Sequence, residues 1–160
     1  MAVEMPRISP FLWFNGTAVE AAEHYVSVFP NAKILAVSEM PAGPTKGGAL
    51  VEFELDGLKF GAMDGGSMFE MTPAVSFVIP CDSQEEIDHY WDKLAEGGTE
   101  GFCGWLTDRF GVSWQVVPRA MDELMAPAPE AVMEALLTMT KVDIAQLREA
   151  GRRAAAQGSA

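Results

Sequence analysis

Apolar and polar positions follow one another along the chain in an order that predicts two similar halves and a helical tail. Residues 7–14 are apolar and aromatic without a helical period, the pattern of a largely buried strand. Thr17-x-x-Glu20 then has the form of a capping box, in which a hydroxyl and a carboxylate satisfy free amides at a helix N-terminus. Ala18, Ala21, Ala22, Tyr25, Val28 and Phe29 continue at spacings of three and four, predicting a helix over 17–29 that Pro30-Asn31 stops. Residues 32–40 read as a second strand, and the glycines and prolines of 41–48 as a loop. Over 50–55, Glu52 and Glu54 alternate with Val51, Phe53 and Leu55, so one face of that strand is wet. Asp56-Gly57 turns it into a partner over 58–63, a hairpin with a two-residue turn.

The same design then recurs. Glu20-Ala-Ala-Glu23-His24-Tyr25 returns as Glu85-Glu-Ile-Asp88-His89-Tyr90, again after an apolar run, 74–79, and a capping signal, Ser83-x-x-Glu86. A helix over about 83–96, ended by Gly97-Gly98, and strands over about 99–106 and 112–117 complete the second copy. One strand of this copy is expected to be poorly formed. A twofold repeat of half a domain implies two modules with a cleft between them, unlike a solenoid of three or more units. From Pro118 the pattern turns helical, over about 119–125, 129–139 and 143–154, with Gly151 to Ala160 reading as a frayed end. The expected class is α+β: a single domain over 1–160, with module one about 7–66, module two about 73–118 and C-terminal helices about 119–154.

Composition narrows the partners. With 160 residues, 49% of them hydrophobic, the chain can bury one substantial core. A net charge of −12 and a pI near 4.4 argue against nucleic acid and against an anionic membrane surface, since both need a basic face. Cys81 and Cys103 show neither metal-binding spacing nor disulfide density, which fits a reduced, cytoplasmic setting. No apolar run reaches the length of a membrane span.

Four segments carry a resemblance to a known family, Pro10-Phe-Leu-Trp-Phe-Asn-Gly16, 20–31, 84–91, and Cys103-Gly-Trp-Leu-Thr-Asp-Arg-Phe-Gly-Val-Ser-Trp-Gln-Val-Val-Pro118, and the late Lys141-Val-Asp-Ile-Ala145 also fits. They resemble the PhnB-like branch of the vicinal oxygen chelate superfamily, labelled the 3-demethylubiquinone-9 3-methyltransferase domain. The resemblance implies the glyoxalase/bleomycin-resistance/dioxygenase fold of paired βαβββ modules, and a homodimer. It also implies four metal-ligand positions, which fall at Pro10, Gly61, Val75 and Gln115. Only Gln115 offers a donor, and one neutral amide does not hold a divalent ion against water. No metal and no cofactor are therefore expected. A slip of one residue would substitute Ser9 and Ser76.

If Pro10, Val75 and Gln115 face the cleft, alternation brings in Leu12, Phe14, Met63, Phe77, Ile79, Ser113 and Val117 as ligand-binding residues, with Trp105 bordering them. Phe11, Trp13, Phe60 and Trp114 then lie beneath the helices. The candidate catalytic residues are Gln115, Cys103 and Asp64. Glu52, Glu54 and Asp108 are further carboxylates, and His24 and His89 read as helix-surface residues. Methyl transfer from a nucleoside donor calls for a glycine-rich strand-to-helix turn that this sequence does not show. The expected function is binding of a small, partly hydrophobic organic molecule. A lyase, isomerase or dioxygenase with a rearranged or absent metal site is the second reading. A dimeric regulatory module using the Met-rich tail is the third.

Overall fold

The computed structural model of the chain describes residues 2–159; Met1 and Ala160 lie outside the described residues. Two compact units divide at Met71 and Thr72. The first contains β1 (Phe11–Phe14), α1 (Ala18–Val28), β2 (Ala32–Glu39), β3 (Ala49–Leu55) and β4 (Leu58–Asp64). The second contains β5 (Phe77–Cys81), α2 (Gln84–Ala95), β6 (Thr99–Glu100), β7 (Trp105–Thr107), β8 (Ser113–Pro118), α3 (Met121–Met125), α4 (Pro129–Leu137) and α5 (Ile144–Gly158). Each unit holds one four-stranded sheet, ordered β1-β4-β3-β2 and β5-β8-β7-β6, with the outer first strand parallel to the last and the remaining pairs antiparallel. This is the expected α+β arrangement of two βαβββ modules followed by helices. Among the described residues no helix is long and apolar enough to cross a membrane.

In the first unit, α1 lies on one face of its sheet through Ala18, Ala21, Ala22, Tyr25 and Val28. The alanines let the helix approach closely, and Tyr25 packs on Phe53, which stacks on Phe60 with ring centroids 5.0 Å apart. Burying each such ring contributes about 2–3 kcal/mol. The hairpin turns where expected: Asp56 and Gly57 both take positive φ, 45° and 86°, the pair a two-residue turn requires. The capping box at Thr17 does not form, because the Thr17 side chain caps nothing and the Asp64 carboxylate accepts the Ala18 amide at 2.9 Å instead.

In the second unit Ser83 does cap α2, accepting the Glu86 amide at 3.2 Å, while Glu86 reaches back to the Asp82 amide at 2.7 Å. The buried stripe of α2 is Ile87, Trp91 and Leu94. It matches Ala21, Tyr25 and Val28 at an offset one residue longer than the echo of letters, so Trp91, and not Tyr90, takes the place of Tyr25.

Both first strands are shorter than expected. Ile8 is exposed and Pro10 precedes β1 with no amide to give a ladder, while Thr72–Val75 form a turn ahead of β5. The expected strand over 99–106 breaks into β6 and β7 at Cys103-Gly104, both left-handed with φ 60° and 82°. Two-residue β6 is thus the poorly formed strand. The tail is not frayed: α5 runs to Gly158, and Gly151 is buried where a side chain would meet Val132 and the Leu124 carbonyl.

Candidate functional site

Each sheet has a helix-covered face and an open face, and register decides which residues lie on which. In the first unit Phe53 and Phe60 face α1, so Ala62 and its parallel neighbours Leu12 and Phe14 do as well. Gly61, Met63, Phe11, Trp13 and Glu52 take the open face. The Phe11 ring covers Gly61 so closely that a Cβ there would lie 2.6 Å from it, and Phe11 is 59% exposed. Trp13 donates from Nε1 to the Gly66 carbonyl at 2.8 Å and meets Phe69 edge-on.

In the second unit Phe77 pairs with Trp114, Ile79 with Val116 and Cys81 with Pro118, all on the α2 side. Ser113, Gln115 and Val117 occupy the open face, with Trp105 opposite Gln115 and Thr107 opposite Ser113 on β7. Gln115 Nε2 donates to Ser76 Oγ at 2.9 Å. A pocket of about 160 Å³ opens beside them, lined by Pro73, Gly101, Trp105, Thr107 and Ser113, with Glu100 at its edge. The Glu100 carboxylate is engaged by Trp91 Nε1 at 2.8 Å.

The open faces therefore hold Met63, Trp105, Ser113, Gln115 and Val117, as the sequence predicts for the last strands. They do not hold Leu12, Phe14, Phe77 or Ile79. Phe11 and Trp13, expected beneath a helix, are on the open side. By register the partner of Gly61 is Phe11, one residue past Pro10, and that of Gln115 is Val78, three past Val75; in a strand any odd shift inverts every side chain. Val75 lies outside β5 and is exposed; at the open face of that strand stand Val78 and, by its bond to Gln115, Ser76. Ser76 is the residue the one-residue slip substitutes. Thr107 and Pro73 were not foreseen, although alternation from Trp105 reaches Thr107.

The candidate catalytic residues are divided between the units, Asp64 in the first and Cys103 and Gln115 in the second. Asp64 ends β4 and caps α1. Cys103 lies in the turn before β7, half-buried, while Gln115 is on β8. Asp108 is buried and accepts from the amides of Phe110 and Val112 and from Trp114 Nε1 at 2.8–3.0 Å, which makes it the organiser of the β7–β8 turn. Glu54 pairs with Lys33 at 3.9 Å. His24 sits on α1 and His89 on α2, each on the helix that covers the other face of its own sheet.

A larger pocket, about 240 Å³, lies at the ends of β5 and β8 against α3 and α5, lined in part by Cys81, Arg119, Glu123 and Arg148. Arg119 closes on Asp82 at 2.6 Å. Burial, and then the Glu86 and Asp82 carboxylates, push the Cys81 thiol up to about 12, with Arg119 opposing. That thiol stays protonated and is a poor nucleophile. None of the residues expected at the site lines this pocket.

The fold's metal does not fit the residues present. The register partners of Gly61 and Gln115 are Phe11, whose ring covers Gly61 on one sheet, and Val78, beside a Gln115 amide already bonded to Ser76 on the other. Glu52 adds one carboxylate opposite Gly61. Among the described residues no strand position on either open face is a His or Cys, whereas a stable divalent site takes three or four protein ligands. Among the described residues no three of His, Cys, Asp and Glu come together to hold an ion.

Comparison with known proteins places this geometry. The profile of the family described as 3-demethylubiquinone-9 3-methyltransferase matches residues 6–117. A Bacillus cereus PhnB protein bearing the same family description is 34% identical, with 71% of this chain and 99% of that chain covered and a TM-score of 0.65. Protein PA1353 from Pseudomonas aeruginosa is 27% identical, with 71% and 97% covered and a TM-score of 0.60. The fosfomycin resistance protein FosX from Listeria monocytogenes, at 17% identity, 74% and 94% coverage and a TM-score of 0.54, shares the fold. No curated protein matches the chain.

Proposed function

The chain belongs to the 3-demethylubiquinone-9 3-methyltransferase family and has the glyoxalase/bleomycin-resistance fold, and on that footing we propose that it binds a small, neutral, oxygen-bearing aromatic molecule on the open face of its second sheet. The observation that carries this reading is the grouping of Trp105, Thr107 and Ser113 around one pocket, with Gln115 standing opposite Trp105 on the same face. An indole beside neutral hydrogen-bonding groups suits a ring with hydroxyl or carbonyl substituents. The family's name speaks of such a ring, a demethylated quinone.

Methyl transfer itself has no support in the geometry. A nucleoside donor calls for a glycine-rich strand-to-helix turn that lets the backbone approach it closely. The turn from β1 into α1, Asn15-Gly16-Thr17, holds a single glycine, and that from β5 into α2, Asp82-Ser83, holds none. A reduced, cytoplasmic setting is proposed with the binding role, resting on two unpaired cysteines. Self-association is proposed from the exposed Phe11 and Val78 on the open faces; light scattering showing a monomer at micromolar concentration would remove it.

The test is native mass spectrometry of freshly purified protein, followed by titration with water-soluble phenols and quinones. Trp105→Ala and Gln115→Ala are each expected to weaken binding about tenfold, the loss of one stacked ring or one hydrogen bond in a desolvated site. Undiminished binding in both variants, or a stoichiometric metal whose removal abolishes activity, would overturn the reading.

A further inference from the structure

The segment at 138–142 lies beyond the family profile, which ends at residue 117, yet it is bound to the turn that launches β7. The Cys103 amide donates to the Met139 carbonyl and the Gly104 amide to the Thr140 carbonyl, both at 2.9 Å. The Gly104 carbonyl in turn accepts the Val116 amide at 2.7 Å. Consecutive left-handed residues, one of them a cysteine, persist only where surroundings hold them. Here the surroundings are specific: a Cβ on Gly104 would lie 2.4 Å from the Val116 carbonyl oxygen and 3.0 Å from a Val142 methyl.

The segment is itself held from α2. Gln84 Nε2 donates to the Val142 carbonyl at 3.0 Å, and its Oε1 accepts the Ile144 amide at 2.9 Å, so one side-chain amide grips the backbone on both sides of Asp143. Lys141 reaches Asp88 at 3.2 Å and Asp92 at 3.4 Å. Both contacts are exposed and contribute little by themselves. Gln84 is the stronger anchor because its partners are main-chain groups in part-buried positions.

We infer that residues 138–142 form a positioning strap: held by Gln84, they fix the Cys103-Gly104 turn and so set where Trp105 and Gln115 stand on the open face. Trp105 follows Gly104 directly and is the register partner of Gln115, whose neighbour Val116 is the residue bonded to Gly104. Gln84 is a positioning residue, since it touches neither Trp105 nor the pocket. The role of that face in binding rests on the function proposed above; the mechanical link does not.

The experiment compares the full chain with Gln84→Ala by amide hydrogen exchange and by the NMR signals of the Trp105 indole and the Gln115 side-chain amide. In the variant the Cys103 and Gly104 amides are expected to exchange about tenfold faster, the loss of two hydrogen bonds anchoring the strap. The Trp105 and Gln115 signals shift, while the Trp13 indole, in the first unit, stays in place. Lys141→Ala changes the same signals less. Unchanged exchange at Cys103 and Gly104 would overturn the inference, as would faster exchange spread evenly over the second unit, or a released turn with unmoved Trp105 and Gln115 signals. Titration with a phenol adds the functional arm: if the parent protein binds none, the binding role fails while the exchange and NMR results still decide the strap.

Discussion

The Asp64 carboxylate accepts the amide of Ala18 at 2.9 Å, joining the end of the last strand of the first unit to the first turn of its helix. Forty-six positions separate the two residues, so no local pattern announces the pair. The contact does what Thr17 was expected to do, and adds a negative charge at the positive end of α1. It also gives the candidate catalytic carboxylate a structural occupation.

Asp64→Ala is accordingly expected to destabilise the protein by about 1–2 kcal/mol, the cost of losing a helix cap, and Asp64→Asn by less, because the amide oxygen still accepts. Urea denaturation measures both. Affinity for a phenolic ligand is expected to stay within twofold of the parent; a large loss without unfolding would return Asp64 to the site.

The two tyrosines of the repeated motif are expected to behave differently. Tyr25 has no exposed surface, and Tyr25→Ala should cost about 3–5 kcal/mol, as for other large aromatic truncations in a core. Tyr90 lies off the buried stripe of α2, and Tyr90→Ala should cost about 1 kcal/mol or less. Trp91→Ala is the true counterpart of Tyr25→Ala. Thermal or urea unfolding of the three variants would show whether the offset of the helices is that of the letters or one residue longer.

Two glycines offer a similar contrast. Gly104→Ala places a Cβ against backbone at a positive φ, and should cost about 2 kcal/mol or more. Gly61→Ala has as its nearest neighbour the exposed Phe11 ring, which can swing aside, so about 1 kcal/mol or less is expected. Equal losses in a denaturation series would contradict the assignment of Gly104 to a pinned turn.

Cys81 sets a dependence on alkaline pH. Its thiol is raised from 9.0 in an open chain to about 12 by burial and the neighbouring Glu86 and Asp82. The folded state therefore holds the proton more tightly than the unfolded one. This contribution is complete below pH 9 and is lost as pH rises from 9 toward 12. The parent's stability relative to Cys81→Ala should be level up to pH 9 and then decline. At pH 8 a thiol reagent should label half-buried Cys103 first and Cys81 only as the protein unfolds.

Much of this molecule was legible in the chain. The two-residue hairpin at Asp56-Gly57, the cap at Ser83, the alanine stripe of α1 and the alternation of β3 and β8 are local patterns, and local patterns report on backbone periodicity directly. For β8, two close landmarks, the turn at Gly111 and the Ser-Trp-Gln run, put Gln115 and Ser113 on the open face. For β1 and β5 the nearest landmark was a helix, reached through a connection of unknown geometry. The resulting odd shift, one residue in β1 and three in β5, assigns Leu12, Phe14, Phe77 and Ile79 to the wrong side.

What the sequence by itself determined was the kind and order of the elements, with one expected strand standing as the pair β6 and β7, because hydrophobic period, capping residues and turn glycines act within a few residues of each other. What only the tertiary structure decided was pairing at a distance: Asp64 with Ala18, Gln115 with Ser76, Gln84 with the strap, and the register that assigns each strand residue to its face. The physical reason is that a strand's two faces exchange with a shift of one residue, and a hydrogen bond between remote groups leaves no period in the chain.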